Sequence, residues 1–175
     1  RRLFSLAFRL SLLAVFPLQG PALPWRDTTD PFAILFSEFM LQPTQVATVL
    51  PYYERWLTRF PDFAALARAV ESEVLHAWQG LGYYARARNL HAAARAVTEN
   101  FGGTLPRSAA EIAHLPGVGR YTAGAVASFA FDQAEPIVDA NIARVLARLT
   151  NSQLPIDAAA GRAHRLLPPE GVERL

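Results

Sequence analysis

The sequence predicts an all-α fold, and three observations carry that expectation. Apolar residues recur at helical spacing along the chain. Asp-Pro and Ser-x-x-Glu start signals, with Gly and Pro stops, cut it into segments of helical length joined by short connections. Strand signals are nearly absent, so helices must cover one another around a shared core.

Arg1-Arg2 and the apolar run Leu3 to Leu18 have the order of a secretory signal peptide. Arg9 interrupts the run and no clear small-residue cleavage pattern follows. An amphipathic packing helix is therefore expected, with Leu12, Leu13, Val15 and Phe16 on the core. The stretch is too short and interrupted to span a bilayer, and no membrane partner is expected.

Asp30-Pro31 supplies a cap and a first-turn proline for a helix over Phe32 to Leu41, broken by Gln42-Pro43. The next helix is expected from Thr44 to Arg59, strained near Pro51. Pro61-Asp62 opens another through Ala69, and Glu71 to Gln79 forms a fourth. Gly80 and Gly82 frame a tight turn before Tyr83 to Asn100, which Gly102-Gly103 ends. Ser108 and Glu111 have capping-box spacing. Leu115 to Gly119 is a hairpin turn leading into Arg120 to Ala130. Pro136 precedes Ala140 to Leu149, and Asp157 to Leu167 is a last helix that Pro168-Pro169 stops.

A chain of 175 residues, 51% hydrophobic, can bury one good core, or a compact domain plus part of another. All 17 basic residues are Arg and the formal charge is +2, which fits a local phosphate-binding face better than a basic tail. With 0 Cys there is no disulfide, thiol nucleophile or thiolate metal site in this chain, and its 4 scattered His make no metal site.

Leu115 to Ala125 reads Leu-Pro-Gly-Val-Gly-Arg-Tyr-Thr-Ala-Gly-Ala. Gly117 and Gly119 around Val118 can expose successive N–H groups at the start of a helix, a nest that binds phosphate. Backbone N–H groups cannot read base identity, so the partner they fit is a nucleic-acid backbone, with Arg120 beside it.

Glu38 stands in Phe-Ser-Glu-Phe-Met-Leu, where burial would raise its pKa and make it a general acid. Asp139, in Ile-Val-Asp-Ala-Asn, is the obvious second carboxyl for cleaving a glycosidic bond. Two plainer readings stay open: Glu38 on a solvated face, and Asp139 simply capping the helix at Ala140. Tyr83 reads equally as core or as a stacking wedge; Arg86 and Arg88 read as a solvated face or as phosphate contacts.

Taken together these residues resemble the helix-hairpin-helix DNA glycosylases, and within them the MutY-type adenine DNA glycosylases. The resemblance runs from Leu23-Pro24-Trp25-Arg26 nearly to the end. It includes Ser37 to Gln42, Thr44-Gln45-Val46, Gly80 to Leu90, the hairpin, and Asp139-Ala140-Asn141. It implies that Glu38 protonates adenine at N7 and that Asp139 stabilises the sugar cation or its covalent adduct. Tyr121 and Asn141 would support that carboxylate. Gln42 and Tyr83 would enter the duplex, and Thr44 and Leu81 would lie near the opposite 8-oxoguanine. Bifunctional relatives carry a Lys where Tyr121 stands, and this chain contains no Lys, so a monofunctional enzyme is implied.

The implied activity is base-excision repair: release of adenine mispaired with 8-oxoguanine or guanine in double-stranded DNA, by a monomer in the cytoplasm at the nucleoid. Two alternatives remain, a thymine or uracil mismatch glycosylase of the same superfamily and an inactive DNA-binding fragment. Pro43 departs from the family, which usually has a second Gln there to wedge the strand. The family's four-iron four-sulfur cluster needs four Cys that do not occur here, and the expectation is a chain truncated before them. The implied organisation is 1–26 packing with an incomplete cluster domain, a helical barrel over 27–135 with the hairpin at about 108–130, and a partial cluster domain over 136–175.

Overall fold

The computed structural model describes residues 22–150. The expectations for the first nineteen residues, for Asp157 to Leu167 with its Pro-Pro stop, and for the residues up to Leu175 lie outside them. Among the described residues there are eight helices and no strand: α1 (Pro31–Leu41), α2 (Val46–Arg59), α3 (Phe63–Arg68), α4 (Glu71–Ala77), α5 (Ala85–Phe101), α6 (Ala109–Ile112), α7 (Arg120–Phe131) and α8 (Ala140–Thr150). None is long and apolar enough to cross a membrane.

α1 is the central rod. Asp30 caps it as the sequence requires, its carboxylate accepting from the backbone N–H of Phe32 at 3.1 Å and of Ala33 at 3.4 Å, with Pro31 in the first turn. Phe32 to Ser37, Phe39 and Met40 are all buried, so the helix is apolar all round and has neighbours on every side. Its one ionisable residue is Glu38. α2 lays Val49, Tyr53 and Trp56 against it, a helical stripe of one face. Phe36 stacks on Trp56 with ring centroids 4.8 Å apart, and Trp56 meets Trp78 edge-on at 5.5 Å. α3 and α4 pack on α5, whose buried Ala87, Ala93 and Ala94 admit close approach, while α7 packs on α1 and closes the hairpin with α6.

Three details differ from the sequence reading. α2 begins at Val46 rather than Thr44, and it continues through Pro51, where the forfeited bond falls on an exposed side of the helix. α5 begins at Ala85 because Tyr83 takes φ +47°, outside the helical region. Ser108 stands at the N-cap of α6 but makes no side-chain cap bond, so the expected capping box does not form. A carboxylate does reach back at α4, where Glu73 accepts from the Val70 N–H at 3.4 Å.

Candidate active site

Glu38 projects from the last turns of α1 into a partly buried position. Removal from water penalises its charged form and pushes its pKa up to about 7. The solvated-face reading of this residue therefore fails. Tyr121 lies in the first turn of α7 and is 40% exposed. Its phenol is held above its ordinary pKa by burial first, then by the charges of Glu38 and Asp139. That coupling brings three residues from three distant parts of the chain into one electrostatic site.

Asp139 is half-buried at the entry to α8. Its Oδ1 accepts from the Ile142 N–H at 2.7 Å, and its Oδ2 accepts from the Asn141 side-chain amide at 3.2 Å. It does cap the helix. The cap and the site are one arrangement, because the hydrogen bonds that start α8 also fix where this carboxylate points. Asn141 is oriented in turn by Arg144, whose Nη1 donates to Asn141 Oδ1 at 3.4 Å.

The hairpin is built around Gly117, which takes φ +73°. A Cβ there would stand 2.5 Å from Asn89 Cβ, so α5 meets this turn where only glycine fits. Val118 is buried and donates its N–H to the Leu115 carbonyl at 3.0 Å, closing the turn. Gly119 occupies the N-cap of α7 and brings no side chain over the helix end, with Arg120 exposed next to it.

Two loops flank Glu38. After α1, the exposed Gln42 donates from Nε2 to the Thr122 hydroxyl at 2.8 Å, and a cis bond joins it to Pro43. Before α5, Tyr83 is 70% exposed, so the core reading of that ring is overturned. Leu81 is the reverse: its side chain is 5% exposed and belongs to the core cluster rather than to an exposed DNA-facing surface. The base of this loop is pinned by Tyr52, whose hydroxyl donates to the Gln79 carbonyl at 2.9 Å, and by Trp78, whose Nε1 donates to the Gly82 carbonyl at 3.0 Å.

The two arginines part company. Arg88 is exposed and pairs with Glu71 at 3.0 Å. Arg86 turns inward onto the carbonyls of Phe39, Met40, Leu81 and Gly82 and onto Thr44 Oγ1, which leaves its Nη groups committed to the protein rather than to a phosphate. Sequence reasoning missed this, and it missed Thr122 and Tyr52. The available signal for Arg86 was its place just after a Gly-Leu-Gly turn, where clustered carbonyls need a donor.

A family model described as HhH-GPD superfamily base excision DNA repair protein matches residues 36–160. The chain belongs to this superfamily. Mouse adenine DNA glycosylase is 48% identical over 152 residues, covering 82% of this chain and 30% of the relative. The Mycobacterium tuberculosis protein of the same name is 42% identical over 144 residues, covering 82% of this chain and 47% of that one. The chain thus spans less than half the length of these relatives. Among solved structures, a thermostable thymine-DNA glycosylase superposes with a TM-score of 0.86 at 30% identity, covering 94% of this chain and 78% of that one. A non-covalent endonuclease III–DNA complex gives 0.79 at 23% identity, covering 95% and 79%, a likeness of fold.

The four-iron four-sulfur cluster implied by the resemblance is held by thiolates. This chain has 0 Cys, so its residues do not fit that group. Among the described residues no three His, Asp or Glu stand together as a metal site either.

Proposed function

We propose that this chain carries the catalytic centre of a monofunctional adenine DNA glycosylase acting on adenine opposite 8-oxoguanine or guanine. The observation that carries the reading is Glu38, held near pKa 7 by burial and coupled through Tyr121 to the Asp139 carboxylate. A carboxyl group with that pKa is still substantially protonated at neutral pH and can donate in the transition state.

The target adenine first leaves the helical stack, since its reacting atoms are inaccessible inside a duplex. Glu38 then gives its proton to N7. The glycosidic C–N bond breaks with its electron pair going to the base, which leaves as neutral adenine. The sugar is left with cationic character, which the Asp139 carboxylate stabilises. Water adds to the sugar carbon and gives a proton to the Glu38 carboxylate, restoring the acid and leaving an abasic site in an uncut strand. Tyr121 stays a neutral phenol through this cycle, able to donate a hydrogen bond to either carboxylate without adding charge. Glycine-turn N–H groups of the hairpin hold a backbone phosphate nearby. As an enzyme of genomic DNA, it would work in the cytoplasm at the nucleoid.

The thymine-DNA glycosylase structure supports a second reading, release of thymine or uracil from mismatches. The adenine reading is preferred because identity to adenine glycosylases reaches 48%, against 30% for that structure. Base release from defined duplexes separates them. Adenine freed opposite 8-oxoguanine, with thymine and uracil retained opposite guanine, is the expected result; the reverse pattern supports the second reading, and no release from any duplex supports a binding fragment.

A further inference from the structure

We propose that Arg86 is a positioning residue that locks the end of the Glu38 helix to both flanking loops, so that acid and loops move as one body. The inference rests on the glycosylase reading for what the loops do, and on the structure for the lock itself.

Both Nη groups of Arg86 are engaged, while its buried Nε has no partner among the described residues. Nη1 donates to the carbonyls of Phe39 and Met40, each at 2.8 Å. Both belong to the last turn of α1, whose carbonyls lack partners within the helix, and a cation there also complements the helix dipole. Nη2 donates to Thr44 Oγ1 at 3.1 Å in the loop after α1, and to the carbonyls of Leu81 at 3.1 Å and Gly82 at 3.3 Å in the loop before α5. The guanidinium lies over the Trp78 ring at 5.2 Å and the Tyr83 ring at 5.6 Å. The end of α1 with its following loop, and the loop before α5 some forty residues later, are thus joined through one planar group.

This arrangement needs the fork of an arginine. A lysine ammonium has three donors on one atom and no flat face, so it cannot serve the carbonyls of α1 and of the loop before α5 together while stacking over Trp78. The lock also has a functional direction. Glu38 stands on the same last turns of α1, Gln42 and Thr44 lie on one loop, and Tyr83 on the other. A base pair opened by those loops would meet an acid whose position is tied to theirs.

The test uses the full chain with Arg86→Lys and, separately, Thr44→Val, which removes one acceptor and leaves the guanidinium in place. Hydrogen exchange on the free protein is expected to accelerate by about tenfold or more in residues 39–45 and 80–85 together in Arg86→Lys, with α7 unchanged. Thr44→Val should loosen 42–45 several-fold. Single-turnover adenine release from a paired duplex should fall about 10- to 100-fold in Arg86→Lys while duplex affinity changes little. A substrate whose adenine already sits in an unpaired bubble should restore release to near the parent rate. Exchange that rises in only one loop or in neither, or an excision loss that the bubble fails to restore, would overturn the lock. If Arg86→Lys loses protection throughout, the fold has gone and Thr44→Val decides, with unchanged exchange at 42–45 counting against the proposal. A parent chain that releases no base sinks the adenine reading and leaves the exchange result to judge the lock alone.

Discussion

Gln42 and Thr122, eighty positions apart in the chain, share a 2.8 Å hydrogen bond in which the amide Nε2 donates to the buried hydroxyl. The bond closes the seam between the end of α1 and the first turn of α7. Glu38 lies one turn before Gln42, and Tyr121 immediately precedes Thr122. Acid and phenol are therefore held on facing segments by a contact that neither of them makes. Gln42→Ala should leave the 3% exposed Thr122 hydroxyl short of a partner, at a cost of about 1–3 kcal/mol. A lowered melting temperature with a weakened excision rate is the expected pair of results; an unchanged melt would show that the seam does not depend on this bond.

Glu38→Gln separates chemistry from stability in opposite directions. The carboxyl pKa is raised from 4.5 to about 7, so the folded state binds more protons than the unfolded chain between those values. Stability from this group is therefore full below about pH 4.5 and declines as pH rises through about 7. Glutamine cannot ionise and escapes that loss. At pH 8 the variant should be more stable than the parent by up to about 3 kcal/mol, while excision disappears and duplex binding persists. For the parent, excision should fall as pH climbs past about 7. Denaturant melts at pH 5 and pH 8, with a pH–rate profile, check both signs.

Asp139 allows its two roles to be told apart. Asn is as good an N-cap as Asp, so Asp139→Asn should keep the bond to Ile142 and the start of α8 while removing the negative charge. Excision is expected to fall by at least about 100-fold with little change in melting. Asp139→Ala should lose the same activity and, in addition, about 1 kcal/mol of stability. Equal activity in Asp139→Asn and the parent would reduce this residue to a cap.

How much of this was legible beforehand follows the range of the interactions. α1 and its Asp30 cap were readable because cap, proline and apolar run are all local, and so was the stop at Gly102, which takes φ +62°. The joining of Glu38, Tyr121 and Asp139 was expected from resemblance to a family, since nothing local in the chain says that α1, α7 and α8 converge. Arg86 was the main misreading. An arginine beside exposed tyrosines resembles a phosphate contact, and only the tertiary packing reveals that the unpaired carbonyls of α1 and of the next loop lie within its reach. Ser108 and Glu111 show the opposite limit: the right spacing gives a possible capping box, and a four-residue helix did not require it.

Gly117→Ala should damage the hairpin from within. Alanine at φ +73° costs about 1–2 kcal/mol by itself, and its methyl would overlap Asn89. Because Asn89 sits on α5, relief requires the turn to lift away from that helix. The expected outcome is a destabilised fold and, if the turn contacts backbone rather than bases as proposed, weaker binding to every duplex, matched or mismatched. Discrimination between mispairs should survive, measured as the ratio of affinities. Retained stability together with lost discrimination would contradict the assignment of this turn to phosphate.

Strand integrity after base release tests the position of Tyr121. A lyase step needs an amine that attacks the sugar carbon, forms a Schiff base and so allows the neighbouring phosphate to leave. The chain has no Lys, and the residue in the first turn of α7 facing Glu38 and Asp139 is a phenol held above its usual pKa. A neutral phenol supplies a hydrogen bond but no Schiff base. Purified protein should therefore leave abasic DNA that breaks only on later treatment with alkali or heat, and borohydride should trap no covalent complex. Tyr121→Phe should keep the fold and slow release by about tenfold or more, through loss of the hydroxyl alone. Strand cleavage at the rate of base release, without alkali, would show that another group in this chain acts as the nucleophile.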